Sequence, residues 1–431
     1  MIPALILAGV AVALRSLLAG WFDRVLLGAP VVMVLAGVAA AFALPGDALA
    51  LTLNTQVAQR VAELLLAVLL FVGATAVRGG RLWGPAPGPV LRLLFLAMPL
   101  SLAAAVGTGL VLLPELGWAA LLVLACVVVP IDFAPAEGVV RDRALPHRVR
   151  TALNVESGYN DGIVSPIFLF ALILASDRTR QDSPTEALTT AVPFALIGVG
   201  VGLVTGLLLG WLLDRASRLH ATTEASRRVF VLCTPVVTYA VAVALGGTGF
   251  VASFVAGVAF CYLHGVLAAR RARRAREQPD AAPTTAYRLA GADYHLLTEV
   301  TSLATMLMWF VVGLAAVATL SEGVTWQAVV YTLLALTVLR LGPVLLAFTG
   351  SRFDRRERLL VGLLGPRGTT SIVFGLLAFN TLPTGPVADL ALTVTVLVVL
   401  VSALVHGTGA PLLARALAVR TRRLRRGAPD G

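Results

Sequence analysis

The sequence from residue 150 to residue 175 reads RTALNVESGYNDGIVSPIFLFALILA. This run can cross the hydrocarbon core of a bilayer as a helix, because a span needs about 20 predominantly apolar residues. It nevertheless carries two carboxylates near its middle, Glu156 and Asp161. A charged side chain at the centre of a membrane helix costs about 2.5–3.5 kcal/mol, so each carboxylate must have a partner or a function. The run therefore predicts a membrane fold with a charged site inside it.

The composition of the whole chain is also that of a membrane protein. Of its 431 residues, 58% are hydrophobic and 13% are charged. A soluble domain carries about 25% charged residues, so this chain has too little polar surface to remain in water. The net charge of +11 comes from 34 basic residues, all of them Arg, against 23 acidic ones. Because the arginines lie in short gaps between apolar runs, we expect anionic lipid at the cytoplasmic face as a partner and no nucleic acid.

Apolar runs predict an all-α polytopic fold with about 13 transmembrane helices. The runs lie near 1–20, 26–44, 54–76, 90–113, 117–140, 150–175, 188–213, 228–246, 248–268, 296–319, 323–349, 357–380 and 385–414. We expect a single transmembrane domain over 1–414 and a basic cytoplasmic tail over 415–431. The first run has no basic start and no cleavage site before Arg15, which predicts a retained span and not a signal peptide.

The connections between these runs alternate in charge. Those after odd-numbered runs hold arginine clusters: Arg78, Arg81 and Arg92; Arg141, Arg143, Arg148 and Arg150; Arg215, Arg218, Arg227 and Arg228; Arg270, Arg271, Arg273, Arg274 and Arg276; Arg352, Arg355, Arg356 and Arg358. Those after even-numbered runs hold mainly acids: Asp47, Glu115, Asp177, Asp182, Glu186, Glu322 and Asp389. The positive-inside rule predicts a cell-membrane protein with its N-terminus outside and with the basic linker at 269–292 and the C-terminus in the cytoplasm.

Two spans contain residues that interrupt a helix. The fifth span contains Pro130 and Pro135, and the twelfth contains Gly365-Pro366-Arg367-Gly368. The two spans are an odd number of crossings apart, so repeats with this offset would have inverted topology. Paired broken helices in an inverted repeat indicate a secondary transporter with its site at midmembrane. Proline kinks without function are also common in membrane helices, so this pattern alone leaves both readings open.

Several ionisable residues fall within the predicted spans. At midspan are Glu63, Asp132, Glu156, Asp161, Arg340 and Arg367, with Glu137 and Glu299 nearer span ends. Ion pairs that only hold the helices together would explain an acid near an arginine. They explain little for Asp132 and Asp161, which carry like charges in consecutive spans. These two carboxylates, with backbone carbonyls freed near Pro130, predict an oxygen-rich cation site.

Helical geometry separates the two acids of the sixth span. At about 100° per residue, Ser157 and Asp161 share a face, whereas Glu156 diverges from Asp161 by about 140°. Ser157 and Asp161 can therefore face Asp132, while Glu156 and Asn160 point toward other spans. Glu156 needs its own counter-charge, which Arg340 or Arg367 could supply.

The residues around these charges resemble a known family. The run Asn154-Val155-Glu156-Ser157-Gly158-Tyr159-Asn160-Asp161-Gly162, preceded by Pro130-Ile131-Asp132 and followed by Gly365-Pro366-Arg367-Gly368, is similar to the bacterial sodium/proton exchangers of the monovalent cation:proton antiporter superfamily. The resemblance implies that Asp161 binds the transported cation and the proton in turn, with Asp132 and Ser157 helping to form the site. It further implies that Asn160, in place of a second Asp, accompanies electroneutral exchange.

The same resemblance implies roles for the remaining charges. Glu156 pairs with Arg340, and Arg367 is the arginine of the second broken helix. Glu63 falls in the third span, where some members have a site-supporting acid, although no motif anchors that match. The implied fold is a transport bundle made mainly of spans 4–6 and 11–13, with the other spans as scaffold and dimer contacts in a homodimer. A transporter of this kind is not an enzyme and needs no cofactor.

One position departs from the family pattern. The family usually has Thr before the Asp of the fifth span, and this chain has Ile131. Small cations hold their water tightly and need several oxygens to replace it, so a missing hydroxyl should weaken sodium or lithium binding most. We therefore expect weak discrimination against potassium, and we expect Ile131→Thr to raise sodium affinity if the hydroxyl matters.

Two other classes of protein remain as alternatives. An intramembrane aspartyl protease would also use Asp132 and Asp161 on neighbouring spans, although Asp161 follows Tyr159-Asn160 and lacks the Gly-x-Gly-Asp context of those enzymes. A cation channel is the second alternative, although selective pores are usually built from rings of repeated subunits.

The cysteines and histidines predict no site of their own. Cys126, Cys233 and Cys261 lie singly inside apolar runs, which favours core packing over a disulfide framework or a metal cluster. The histidines lie mostly at span ends, where surface or packing roles are expected: His147, His220, His264, His295 and His406.

Overall fold

The computed structural model describes residues 2–24, 27–44, 56–75, 87–133, 145–176, 184–276 and 293–426. All regular secondary structure within these ranges is helical, which confirms the predicted all-α fold. The helices are α1 (Ile2–Leu17), α2 (Ala19–Arg24), α3 (Ala29–Ala43), α4 (Gln56–Thr75), α5 (Pro87–Leu112, with a π-helical turn at Leu93–Ala97), α6 (Trp118–Val128), α7 (His147–Ser176), α8 (Pro184–Arg218), α9 (Glu224–Ala244), α10 (Gly249–Arg276), α11 (His295–Ser321), α12 (Trp326–Ala347), α13 (Arg355–Leu363), α14 (Thr369–Thr381) and α15 (Pro386–Arg426).

Many of these helices have the length and composition of membrane spans. Within the described ranges, eight are long and apolar enough to cross a membrane, namely α5, α7, α8, α9, α10, α11, α12 and α15. Four shorter apolar helices accompany them: α1, α3, α6 and α14. The chain is therefore a multi-span membrane protein, and the figure of about 13 crossings stays a prediction.

Two helices continue beyond the apolar runs that predicted them. α10 extends through the arginine cluster to Arg276, so the first part of the expected linker is helical, and residues 277–292 lie outside the described ranges. α15 likewise extends into the predicted tail as far as Arg426. Both extensions are rich in Ala and Arg, which are strong helix formers, so helix propensity outlasts the hydrophobic pattern.

The chain divides into two compact units. Unit 1 comprises Met1–Ala58, Ala86–Ser157 and Thr305–Gly431, and unit 2 comprises Gln59–Pro85 and Gly158–Ala304. Helix α7 contributes its first turns to unit 1 and the remainder to unit 2. The predicted separation of a transport bundle from a scaffold stays a prediction.

Unit 1 has an apolar core around the segment that follows α6. The cluster consists of Leu93, Ala97, Ile131, Phe133, Leu145, Val149, Ala152, Leu153, Val344, Ala347, Phe348, Phe353, Leu360, Val361 and Leu364. Residues 130–133 are non-helical, and in an extended segment alternate side chains point to opposite sides. Because Ile131 and Phe133 enter the core, Asp132 between them is directed away from it.

In unit 2, a row of glycines on α8 lets this helix pack closely against α10. They recur every fourth residue, at Gly198, Gly202, Gly206 and Gly210, along the face that packs on α10. A Cβ atom on Gly202 would lie 2.4 Å from the carbonyl oxygen of Ala252, and one on Gly206 would lie 2.6 Å from that of Ala256. Only glycine permits this backbone approach, which is the small-residue packing common between membrane helices.

Candidate functional site

The two predicted helix interruptions are present and contact each other within unit 1. α6 ends at Val128 and is followed by non-helical residues through Phe133, while α13 and α14 are separated by non-helical residues 364–368. The backbone N–H of Asp132 donates to the carbonyl oxygen of Pro366 at 2.9 Å. The rest of the fifth predicted span, with Pro135 and Glu137, lies outside the described residues.

Asp132 caps the helix that begins after the second interruption. Its Oδ2 atom accepts a hydrogen bond of 2.6 Å from the backbone N–H of Thr369, the first residue of α14. The first N–H groups of a helix have no partner within the helix and form the positive end of its dipole. A carboxylate at this position therefore stabilises the start of α14.

Arg367 performs the opposite task for α6. Its side chain is 1% exposed, and its Nε atom donates to the carbonyl oxygen of Val128, the last residue of α6. The guanidinium also donates to the carbonyl oxygens of Gly365 and, at 3.3 Å, Ala335. A cation is favourable at the negative end of a helix. Each interruption thus supplies the charged side chain that caps a half-helix of the other.

Glu156 and Arg340 form a buried bidentate ion pair in unit 1. The two Nη atoms of Arg340 donate to the two carboxylate oxygens of Glu156 at 2.9 and 3.0 Å. Both residues are buried, at 4% and 6% exposure. Arg340 also donates to the carbonyl oxygen of Val361 in the last turn of α13, at 3.1 Å. The pair is present in the structure, and its purely structural role stays a prediction.

Gly365 leaves space for the side chain of Arg340, which lies against the backbone of the second interruption. A Cβ atom on Gly365 would lie 2.1 Å from Nε of Arg340, so a larger residue here would displace this buried guanidinium. The glycine next to Pro366 thus leaves room for the guanidinium of Arg340 beside the break in the helix.

The two faces of α7 that helical geometry separates differ in burial. Glu156 and Asn160 are buried, whereas Ser157 and Asp161 are partly exposed. The Oδ1 atom of Asn160 accepts a 2.6 Å hydrogen bond from the backbone N–H of Asp161. Ser157 belongs with Asp132 to unit 1, and Asn160 and Asp161 belong to unit 2. Joint cation binding by Asp132, Ser157 and Asp161 stays a prediction.

A proline just beyond Asp161 perturbs the hydrogen bonding of α7. Pro166 has no N–H to donate to the carbonyl oxygen of Gly162, and the hydroxyl of Ser165 donates to that oxygen instead, at 3.3 Å. Gly162 itself packs against the ring of Phe254, which lies 2.3 Å from where a Cβ atom would be. This segment of α7 is therefore positioned by close contact within unit 2.

Glu63 has partners that the sequence did not identify. In unit 2 its carboxylate accepts hydrogen bonds from the hydroxyl of Tyr239 at 2.8 Å, from Arg60 at 2.8 Å and from Gln59 at 3.1 Å. These donors account for the burial of the acid without a bound cation. The site-supporting role expected for Glu63 stays a prediction.

Thr369 is a further residue at the site that the sequence pattern did not indicate. Its residue is 1% exposed, and its hydroxyl is buried with no hydrogen-bond partner among the described residues. The only sequence signal was the run of hydroxyl residues Thr369-Thr370-Ser371 directly after the interruption. Ser371 from this run donates to the carbonyl oxygen of Val127 at 2.7 Å, a further contact with the end of α6.

One minor expectation is corrected. Core packing was expected for every cysteine, and Cys126 is buried, but Cys233 on α9 is exposed and Cys261 is only partly buried. An apolar run alone does not distinguish the two sides of a membrane helix. Glu299 lies in the second turn of α11, near the end of a span as expected, and it is exposed.

Paired interrupted helices inside a multi-span membrane protein are typical of secondary transporters. Comparison with known families agrees, because residues 11–416 match the family described as sodium/hydrogen exchanger, transmembrane. The chain therefore belongs to this exchanger family, which confirms the resemblance noted from the motifs.

The individual relatives are similar to this chain at low sequence identity. The chain is 26% identical over 400 residues to the K(+)/H(+) antiporter NhaP2 of Shewanella baltica, covering 90% of this chain and 62% of that protein. It is 28% identical over 116 residues to a Na(+)/H(+) antiporter of Schizosaccharomyces pombe, covering 27% of this chain and 25% of that protein. The fold is similar to that of the sodium proton antiporter MjNhaP1 from Methanocaldococcus jannaschii, with a TM-score of 0.69, 19% identity, and coverage of 96% and 98% of the two chains.

Proposed function

We propose that this protein is a secondary active transporter that exchanges a monovalent cation for protons. The observation that carries the proposal is the pair of interrupted helices joined by the Asp132–Pro366 hydrogen bond and capped by Asp132 and Arg367. Non-helical backbone within a membrane span is tolerated only where it is buried in protein or lines a cavity. Membership of the exchanger family supports the same activity, and neither a protease nor a channel gains support from it.

The mechanism we propose is competition of a cation and a proton for Asp161. The carboxylate is neutralised by either ligand, and the empty charged form pays the desolvation cost of moving through an apolar environment. Only the loaded forms therefore change their access from one side of the membrane to the other. Ser157, one helical turn earlier on the partly exposed face of α7, supplies a neutral oxygen for the cation.

Asp132 is assigned a supporting role for the cation. Its carboxylate is already engaged by the first N–H of α14, so we assign the exchanged proton to Asp161. The residue before Asp161 is Asn160, which carries no charge, and a single carboxylate on this turn fits an electroneutral exchange of one cation for one proton. Sodium is the cation expected from the family resemblance, with potassium and lithium as candidates. The names of the relatives include both sodium and potassium exchange.

Purified protein in liposomes tests this function directly. A pH-sensitive dye enclosed in the liposomes should report proton movement when sodium, potassium or lithium is added outside, and none when choline is added. Clamping the membrane potential with an ionophore should leave the rate unchanged if the exchange is electroneutral. Cation flux that needs no opposing proton gradient would indicate a channel, and cleavage of a membrane peptide would indicate a protease.

The topology makes a separate prediction. With the natural cysteines replaced, single cysteines at Thr179 and Glu322 should react with a membrane-impermeant thiol reagent in intact cells, whereas those at Gln278 and Gly431 should react only after lysis. The charge alternation of the connections is the physical reason. Equal labelling at Gln278 and Glu322 in intact cells would show that the span count is wrong.

The burial of Ile131 changes the expectation for ion choice. Its side chain is 1% exposed within the apolar core, on the side opposite to Asp132. We now expect Ile131→Thr and Ile131→Val, which have nearly the same shape, to give the same half-saturating sodium concentration. The Thr variant should be less stable than the Val variant by about 1–3 kcal/mol, because its hydroxyl would be buried among apolar side chains. Tighter sodium binding by the Thr variant would contradict this expectation and would indicate that the hydroxyl binds the cation.

Location and assembly are proposed from the family resemblance and the charge pattern. We place the protein in the cell membrane as a homodimer, with its arginine-rich connections at the anionic cytoplasmic surface, where each Arg adds about 1 kcal/mol of attraction. Exchange in this setting would contribute to pH homeostasis.

A further inference from the structure

A histidine on α15 contacts the second interruption from outside the motif that defines it. His406 is 5% exposed, and its Nε2 atom lies 3.1 Å from the carbonyl oxygen of Leu363, the last residue of α13. The last carbonyls of a helix have no partner within the helix. Two residues earlier, the carbonyl of Val361 is satisfied by Arg340. His406 therefore caps a second carbonyl at the end of the same half-helix.

The imidazole is also connected to the interruption through Ser402. The Nδ1 atom of His406 lies 3.2 Å from Oγ of Ser402, and this hydroxyl oxygen accepts a 2.7 Å hydrogen bond from the backbone N–H of Arg367. Ser402 is fully buried. The two contacts of His406 thus bracket the non-helical segment, one at its start and one at Arg367.

The hydrogen bonds that run from Leu363 through His406 and Ser402 to Arg367 have one consistent assignment of donors and acceptors when the imidazole is neutral. A carbonyl oxygen can only accept, so Nε2 must carry the hydrogen that it donates to Leu363. Nδ1 is then an acceptor and receives the hydroxyl hydrogen of Ser402, whose oxygen accepts from Arg367. Nδ1 also lies 3.2 Å from the carbonyl oxygen of Ser402, which would become a hydrogen bond only in the protonated ring.

We propose that His406 is a positioning residue of the exchanger, one that sets the backbone of the second interruption and through it the carboxylate of Asp132. The link to Asp132 is short. Pro366, next to Arg367, accepts the backbone N–H of Asp132, and Thr369 donates to its carboxylate. A shift of the segment between Leu363 and Arg367 would therefore also move these two hydrogen bonds of Asp132. The proposal rests on the exchange function proposed above.

Three variants test the proposal in the liposome assay. His406→Leu removes both contacts, Ser402→Ala removes the link to Arg367, and His406→Gln places an amide N–H near the position of Nε2. We expect the Leu and Ala variants to raise the half-saturating cation concentration by about 2- to 30-fold, the range for residues that act through a packed network. The Gln variant should bind within about twofold of the wild type. His295→Leu, which changes an exposed histidine, is the matched control and should bind as the wild type does.

The outcomes separate positioning from its alternatives. A wild-type half-saturation in His406→Leu and Ser402→Ala, with only the yield of folded protein reduced, would overturn the proposal. If His406→Leu yields no folded protein, the half-saturating concentrations of Ser402→Ala and His406→Gln test the proposal.

The pH profile of His406→Gln tests whether the ring acts through its proton. The charged groups around the imidazole are the guanidinium groups of Arg367 and Arg340, and Gln cannot be protonated. A weakened His406→Gln with an altered pH profile would show that the ring acts through its proton and would overturn the proposal. Absence of exchange by the wild type would refute the proposed function instead.

Discussion

Replacing Asp161 with Asn is expected to reduce cation-dependent proton movement to the level of protein-free liposomes, while the protein still folds. The amide has nearly the same shape as the carboxyl group, so packing along α7 should survive. It can neither release a proton nor neutralise a cation, and competition between the two ligands is therefore lost. The measurement is dye-reported proton flux per amount of folded protein, with folding checked by thermal unfolding in detergent.

The matched control for Asp161→Asn is Glu299→Gln. It makes the same chemical change at an exposed carboxylate on α11, and it should leave both flux and stability as in the wild type. Ser157→Ala should weaken cation binding without abolishing exchange, because it removes only a neutral oxygen. Near wild-type flux in Asp161→Asn would show that cation and proton do not compete for this carboxylate, even if the protein is an exchanger.

Glu156→Ala is expected to lower the free energy of unfolding by about 3–5 kcal/mol, because it leaves the guanidinium of Arg340 buried without its counter-charge. The two bidentate hydrogen bonds between the side chains are lost together. Low yield of folded protein should dominate the phenotype, and urea or thermal unfolding in detergent measures the loss. The control is Glu224→Ala, which breaks the exposed ion pair with Arg228 and should cost about 1 kcal/mol or less.

Charge exchange identifies the partner of Glu156. Glu156→Arg combined with Arg340→Glu should recover part of the folded protein, but not all of it, because a carboxylate at position 340 cannot donate to Val361. Glu156→Arg combined with Arg367→Glu should recover none. The N–H groups of Arg367 serve carbonyl oxygens at both interruptions, which a carboxylate cannot replace. Recovery with Arg367→Glu alone would contradict the assignment of Arg340.

Much of the architecture was predictable because its causes are local. Proline removes a backbone donor, so Pro130 with Pro135, and Pro366 with Gly365 and Gly368, indicated the two interruptions, whereas the single Pro166 stays within α7. The separation of Glu156 from the face shared by Ser157 and Asp161 follows from 3.6 residues per turn, whereas which of the two faces is buried does not. The helix ends were predicted less well where hydropathy and helix propensity disagree, as at Arg276.

Other features depend on residues that are far apart in the chain. The residues alone left Arg340 and Arg367 as equal candidates for Glu156, and the resemblance favoured Arg340. The structure shows why both arginines are needed, since one neutralises a carboxylate and the other caps α6. Ile131 was interpreted as a lost ligand, but its side chain belongs to the apolar core.

The sequence by itself thus determined that this is a helical membrane protein of the exchanger family with two interrupted spans, and it predicted a cation site at Asp132 and Asp161. Only the tertiary structure decided that the interruptions cap each other's half-helices, that Tyr239 holds Glu63 and that His406 and Ser402 hold the second break. The physical reason is the range of the interactions. Helix formation and interruption are governed by residues within about one turn of each other. A cap or counter-charge can come from any helix that packing brings near, and the pattern along the chain does not specify which one.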